Sequence, residues 1–393
     1  GFTAIWLQWI QNVVWYPTVL AFAAAAIAYG IGKPELANDG MFTGIFIIAF
    51  YWLATFIAFG GTKILSKVTS AGFLVGTVFP GIIVIILGIV WFVSKRPLGF
   101  EELTATEKTV ATVVNGVVKP RFFPDLSNLN NLSFLSGIVL LFAGVEVQAV
   151  HAADMENPKK QYPLAIFISS IIVFVLFTFG SLAIAAVVPN SQLKLESGLL
   201  QALTTMLTAV KMKWALYILA FCIAFGSLGG VLSWISGPSK GLLTTAKDGL
   251  LPEKLAETTK SGAPKNMMLI QGVIVTILAS LYFFMKNVSV AFFLLSALTI
   301  AVYIIMYILM YAAAIVLRKK QPNLERPYKA PALKFIAIVG ILAAIFALIL
   351  SFVPPAQLPI GKPASYIAIV AIGTIGFFII PLIIANRKKV NKN

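Results

Sequence analysis

Cysteine and histidine are almost missing from this chain, and each absence removes a class of chemistry. Cys222 is the only cysteine among 393 residues, so no disulfide and no cysteine-rich metal site can form within the chain. His151 is the only histidine, which excludes most zinc and triad chemistry. Charge is also scarce: 11% of the residues are Asp, Glu, Lys or Arg, where soluble domains carry about a quarter. The chain has no HExxH, no GxSxG with partners, no Walker loop and no paired intramembrane aspartates. The sequence therefore points to no enzyme, no cofactor, no metal and no self-contained ATP-driven pump. An initiator Met and a signal-peptide pattern are absent too, and Gly1 leads almost at once into a hydrophobic run, so a missing N-terminus is expected.

What is present is apolar surface. Hydrophobic residues make up 59% of the chain, more than a soluble protein of this length can hide and what a bilayer can take up. The net charge of +16 does not indicate nucleic acid, because the Lys and Arg residues punctuate hydrophobic runs and form no continuous basic domain. A bilayer-crossing helix needs about 20 apolar residues. Ten such stretches are read at 2–29, 41–59, 68–94, 134–153, 164–188, 214–238, 267–285, 288–317, 335–353 and 364–386. Lipid supplies no hydrogen bonds, so continuous apolar runs imply helices, and the lack of alternation disfavours a β-barrel. Connections on one side hold Lys63, Lys67, Lys159, Lys160, the groups 240–265 and 318–334, and the tail from Arg387. These gather most of the 30 basic residues, which places that side and Asn393 in the cytoplasm.

Four polar places stand out within the apolar helices. Residues 142–158 hold Gly144, the intramembrane acid Glu146, then Gln148 and His151. A carboxylate at depth costs several kcal/mol by insertion scales, so Glu146 should face a cavity, meet a cation or be protonated. Its alternative is a structural hydrogen bond to a neighbouring helix. His151 is either a pH sensor or simple interfacial polarity. Next, Gly226, Gly229, Gly230, Ser233 and Gly237 line a small-residue face beside Phe225 and Trp234, which serves either close helix packing or a ligand cavity walled by the Trp. Third, Ser296, Thr299, Tyr303 and Tyr307, followed by Tyr311, share a face that is either cavity lining or an interfacial belt. Lastly, Gln8, Gln11, Asn12 and Trp15 share a face in the first helix and read as amide glue between helices.

The runs GVEVQAVHAADMENPKKQYPLA (144–165), SWISGPSKGLLTTAKDGLLP (233–252) and SFVPP (351–355) resemble the amino acid–polyamine–organocation superfamily, and within it the bacterial glutamate:GABA antiporters. The resemblance runs along essentially the whole chain. It implies an all-α polytopic membrane protein with a LeuT-like inverted-repeat fold lacking its first two helices, about ten transmembrane helices being present. The implied organisation is the remainder of the first repeat at 1–94, an extracytoplasmic loop at 95–133, the second repeat at 134–318, and two last helices with a short basic tail at 319–393.

Span 134–153 then corresponds to a broken sixth helix, whose backbone at Phe142, Ala143, Gly144 and Val145 is implied to bind a substrate α-amino group. Trp234 matches an aromatic that closes over substrate, and Tyr303 and Tyr307 match tenth-helix tyrosines. Gly230 stands where glutamate:GABA antiporters carry an acid. Glu146 and His151 are the candidate proton or charge sites. The function implied is a secondary amino-acid antiporter of the bacterial inner membrane working by alternating access, with acid resistance as its consequence for glutamate/GABA exchange. Its partners are amino acids and the lipid bilayer, with no nucleic acid, and a homodimer is compatible with the chain. The alternatives are a proton-coupled uptake permease and a non-transporting membrane scaffold.

Overall fold

Long apolar runs without backbone partners in lipid must fold as helices, and the chain does so almost throughout. The computed structural model describes residues 1–60, 62–100, 111–114, 117–120, 129–141, 143–144, 146–147, 155–285, 287–326, 329–355 and 358–390. The first half holds α1 (Phe2–Gly30), α2 (Gly40–Ala58), and α3 (Thr62–Phe73), which continues through a π-helical turn (Leu74–Val78) into α4 (Phe79–Val93). A hairpin of β1 (Ala111–Val114) and β2 (Val117–Pro120) follows, antiparallel with Ala111 opposite Pro120 and Val114 opposite Val117. Then come α5 (Leu135–Leu141), α6 (Pro158–Val187), α7 (Gly198–Ala209) and α8 (Trp214–Lys247). The last part holds α9 (Lys265–Ala279), α10 (Leu281–Phe284), α11 (Val288–Lys320), α12 (Leu333–Ser351) and α13 (Pro363–Val390).

Among the described residues, nine of the ten expected spans are helices long and apolar enough to cross a bilayer. The tenth, at 134–153, is not one continuous helix: α5 stops at Leu141, and the described residues beyond it leave the helix. One helix runs well past its expected end, and two connections hold elements of their own. The helix expected at 214–238 passes through Pro238 to Lys247; its last nine residues mix polar side chains with Leu242, Leu243 and Ala246, which are buried. The connection at 95–133 contains the hairpin. The connection after 188 contains α7, a short helix whose Leu200, Leu203, Met206 and Leu207 are buried at helical spacing.

Two helix starts are set by local chemistry. The Asp39 carboxylate accepts from the amides of Met41 (2.8 Å) and Phe42 (3.2 Å) and so caps α2, and Asn287 Oδ1 accepts from the Val290 amide (3.3 Å) at the start of α11.

The centre of the bundle is α1, which packs against α8 and α11. Its Leu7, Val13, Val14, Tyr16 and Leu20 are fully buried. Helices α4, α6, α12 and α13 form the rim and turn large apolar side chains outward, Phe174, Phe346 and Ile372 among them. In water such a surface would drive association; in a bilayer it is the solvent-facing side.

One helix crossing brings glycines of two helices face to face. A Cβ on Gly76, in the π-helical turn, would overlap the Gly226 Cα and the Cys222 carbonyl, and one on Gly72 would sit 3.2 Å from the Gly229 Cα. The row of glycines on α8 that faces α3 is thus a packing surface. Gly76→Val is expected to wedge the crossing apart at a cost of about 1–3 kcal/mol, the range for overpacking a filled interface. A thermal melt in detergent should show the loss, while Gly180→Ala, where an added Cβ meets nothing within 4 Å, should leave the midpoint unchanged.

Candidate functional site

The site begins where α5 ends. The Ala143 amide donates to the Leu140 carbonyl (3.2 Å), a turn tighter than the α-helix, and Gly144 then takes φ +111°. Only glycine adopts that backbone without strain. A second reason for glycine is space: a Cβ there would lie 2.6 Å from Trp234 Cη2 and 2.9 Å from Cζ2. The break and the Trp that covers it are therefore fitted to each other.

Two residues on, the side chain of Glu146 folds back over the break. Its Oε2 accepts from the Gly144 amide (3.1 Å) and from the Tyr307 hydroxyl (2.6 Å), and its Oε1 accepts from the Tyr303 hydroxyl (2.5 Å). The Gly144 amide also reaches the Tyr307 oxygen (3.1 Å). Tyr303 and Tyr307 lie one turn apart on α11, with ring centroids 4.9 Å apart, so both hydroxyls reach one carboxylate. Hydrogen bonds to an ionised group are each worth about 1.5–3 kcal/mol, and three of them offset much of the cost of an acid at membrane depth. Both sequence readings of Glu146 thus meet in one place: it bonds a neighbouring helix, and it also lines a cavity of about 430 Å³ with Val139, Ala143, Ile166, Tyr307 and Tyr311. That volume lies within the range of small-molecule sites.

Trp234, on α8, closes the other side of Gly144 and packs against Trp15 of α1, with ring centroids 5.7 Å apart. The amide face expected on α1 divides accordingly. Gln11 Nε2 (3.2 Å) and Asn12 Nδ2 (2.7 Å) both donate to the Gln8 carbonyl of their own helix, while Trp15 belongs with the site. Trp15, which its spacing groups with these amides as glue between helices, instead packs on Trp234.

The glycine face of α8 divides as well. Gly226 meets the π-helical turn at Gly76, Gly229 meets α3, Gly237 would place a Cβ 3.4 Å from Val147, and Gly230 opens on space where a Cβ meets nothing within 4 Å. On α11, Ser296 and Thr299 donate to carbonyls one turn back (both 2.8 Å), and Tyr311 stacks on Tyr307. The structure therefore brings together Ala143, Gly144, Glu146, Trp234, Tyr303 and Tyr307. Phe142, Val145, Gln148 and His151 lie outside the described residues.

A polytopic helical membrane protein whose buried polar chemistry gathers at an interrupted helix, between tyrosines and a tryptophan, is built to hold a small polar solute within a bilayer. The chain belongs to the amino acid permease family, whose model matches residues 1–377. It is similar to an uncharacterized transporter of Legionella pneumophila, with 37% identity over 391 residues covering 98% of this chain and 81% of that one. It is also similar to a glutamate/gamma-aminobutyrate antiporter of Lactococcus lactis strain IL1403, with 34% identity over 98% of this chain and 75% of the relative. A more distant likeness is to a putrescine transporter of Escherichia coli, 25% identical over 84% of this chain and 69% of the relative.

Proposed function

We propose that this permease exchanges amino acids by alternating access, with glutamate and γ-aminobutyrate as the first substrates to test, and that the break at 142–145 is the heart of its substrate site. The observation that carries the reading is the Gly144–Glu146 turn, strapped to α11 by two tyrosines and roofed by Trp234. Backbone groups freed at a helix break bind the charged ends of a zwitterion without bringing a net charge of their own. In this reading the substrate's ammonium meets carbonyls of Phe142, Ala143, Gly144 and Val145, and the acceptor oxygens of Glu146 favour it there.

Trp234, backed by Trp15, would close over the ligand's side chain, and the open space at Gly230 leaves room for that side chain beside α8. Two of the similar proteins are named glutamate/gamma-aminobutyrate antiporters. The basic connections put the C-terminus in the cytoplasm, and 1–94 and 134–318 would be the two opposed repeats that rock around the site. Exchange needs no ATP, since two concentration gradients supply the driving force. Exporting a decarboxylated product would remove one cytoplasmic proton per cycle, which is a means of acid resistance.

Trp234→Ala tests the site. Its transport into proteoliposomes is expected to fall at least about tenfold, the loss of one well-packed aromatic contact with a ligand, with the helical content and melting point held. Uptake at the unmutated rate would remove Trp234 from the site.

A further inference from the structure

A second buried acid lies away from this site, on the segment between α6 and α7. Glu196 is 1% exposed. Its Oε2 accepts from the Ser289 hydroxyl in the first turn of α11, and its Oε1 has no hydrogen-bond partner. Tyr282 of α10, also 1% exposed, is electrostatically coupled to it and has an unpartnered hydroxyl of its own.

The segment is well seated. Leu195 packs into the cluster of Phe293 and Tyr366, the Lys194 amide donates to Gln201 Oε1 (3.0 Å), and the Lys194 ammonium is drawn off to Asn38 Oδ1 (2.5 Å). The charged or titratable groups that face Glu196 are Tyr29 from α1, Tyr282 from α10 and Lys194 from its own segment; α11 contributes the uncharged Ser289. Tyrosines ordinarily titrate near pH 10, so Glu196 is the group of this cluster that changes charge in the acid range.

A carboxylate in such a place is costly as an anion, because one hydroxyl donor, its own backbone amide and one displaced ammonium offset only part of its desolvation. As a neutral acid it fits. We propose that Glu196 is a proton-binding site that holds the segment between α6 and α7 down on the start of α11 at acid pH and releases it as the pH rises. The ligand is the proton itself, and the inference stands independently of the substrate site.

Burial pushes the Glu196 carboxyl above its ordinary value of 4.5, while the Ser289 hydroxyl, the residue's own backbone amide and Lys194 pull it partly back. The sign follows from linkage. The seated state binds the proton more tightly than the lifted, solvated one, so seating is fully favoured below about pH 4.5. It weakens as the pH rises through the seated state's higher value. Because Ser289 starts the same helix that carries Tyr303 and Tyr307, a change at this end of α11 acts on the element that grips Glu146.

The test is hydrogen exchange of the full chain in nanodiscs, in sodium-free buffer between pH 4.5 and 7.5. Protection of residues 193–201 is referenced at each pH to an unstructured peptide of the same sequence. Protection in the unmutated protein is expected to fall about tenfold or more across the window, in the direction set by tighter proton binding in the seated state. In Glu196→Gln it should stay high and flat. Ser289→Ala keeps the proton site but removes a bond to the charged form, so its transition should move to higher pH. A flat unmutated profile, or a slope that survives in Glu196→Gln, would overturn the proposal. So would an unshifted Ser289→Ala, or protection restored at pH 7.5 by sodium chloride, which would make the ligand a metal cation.

Discussion

A single methyl group at position 144 is expected to abolish transport. Gly144→Ala puts a Cβ 2.6 Å from the Trp234 ring, on backbone at φ +111° that non-glycine residues rarely adopt. The strain costs about 1–3 kcal/mol, and the structure has two ways to relieve it. Either the break rotates toward helical dihedrals, which withdraws the Gly144 amide from Glu146, or Trp234 swings off the site. Each outcome destroys the arrangement on which exchange depends, while the helices of the bundle need not move. Transport should therefore fall by more than about tenfold, the factor belonging to 1.4 kcal/mol, with circular dichroism unchanged. Gly180→Ala, on α6 away from the site and with nothing within 4 Å of an added Cβ, should transport at the unmutated rate.

The second large effect is expected at Glu146. Glu146→Ala leaves the Tyr303 and Tyr307 hydroxyls and the Gly144 amide without their shared acceptor. Two or three bonds to an ionised group are lost, at about 1.5–3 kcal/mol each in the general case. Part of this is recovered because Tyr307 still accepts from Gly144. The melting point should drop clearly. Glu146→Gln separates geometry from charge: it retains one acceptor oxygen but turns an NH₂ toward the other tyrosine, and it removes the negative charge from the cavity. A variant that keeps most of the stability but loses transport assigns the role to the charge. Full transport in Glu146→Gln would reduce Glu146 to a structural strap.

The helices were legible because lipid leaves an apolar chain no other way to pair its backbone, so hydropathy alone located nine spans among the described residues. Parts of the site were legible for similar reasons. An acid among apolar residues stands out in any sequence, and Tyr303 and Tyr307 announce a shared face by their spacing. Their meeting was not legible, because Glu146 and Tyr303 are 157 residues apart and only the packing of α11 against the end of α5 joins them.

Neighbours likewise decided the glycine face of α8. Gly226, Gly229 and Gly230 are chemically the same residue, yet two meet α3 or the π-helical turn that continues it, and one meets open space. Trp15 was grouped with the amides beside it because helical spacing shows which residues share a face and says nothing about what that face touches. α7 and Glu196 were overlooked for another reason: the segment from 189 to 213 is too short and polar for a span, and it is buried by elements that come from far along the chain.

The measurement that bears most directly on the account is counterflow, with the protein in proteoliposomes loaded with unlabelled glutamate or γ-aminobutyrate and offered the other in labelled form. The account predicts uptake that requires internal amino acid, that proceeds without an imposed pH gradient, and that disappears in Gly144→Ala. Uptake into vesicles empty of amino acid and driven only by a pH gradient would contradict exchange and establish proton-coupled uptake instead.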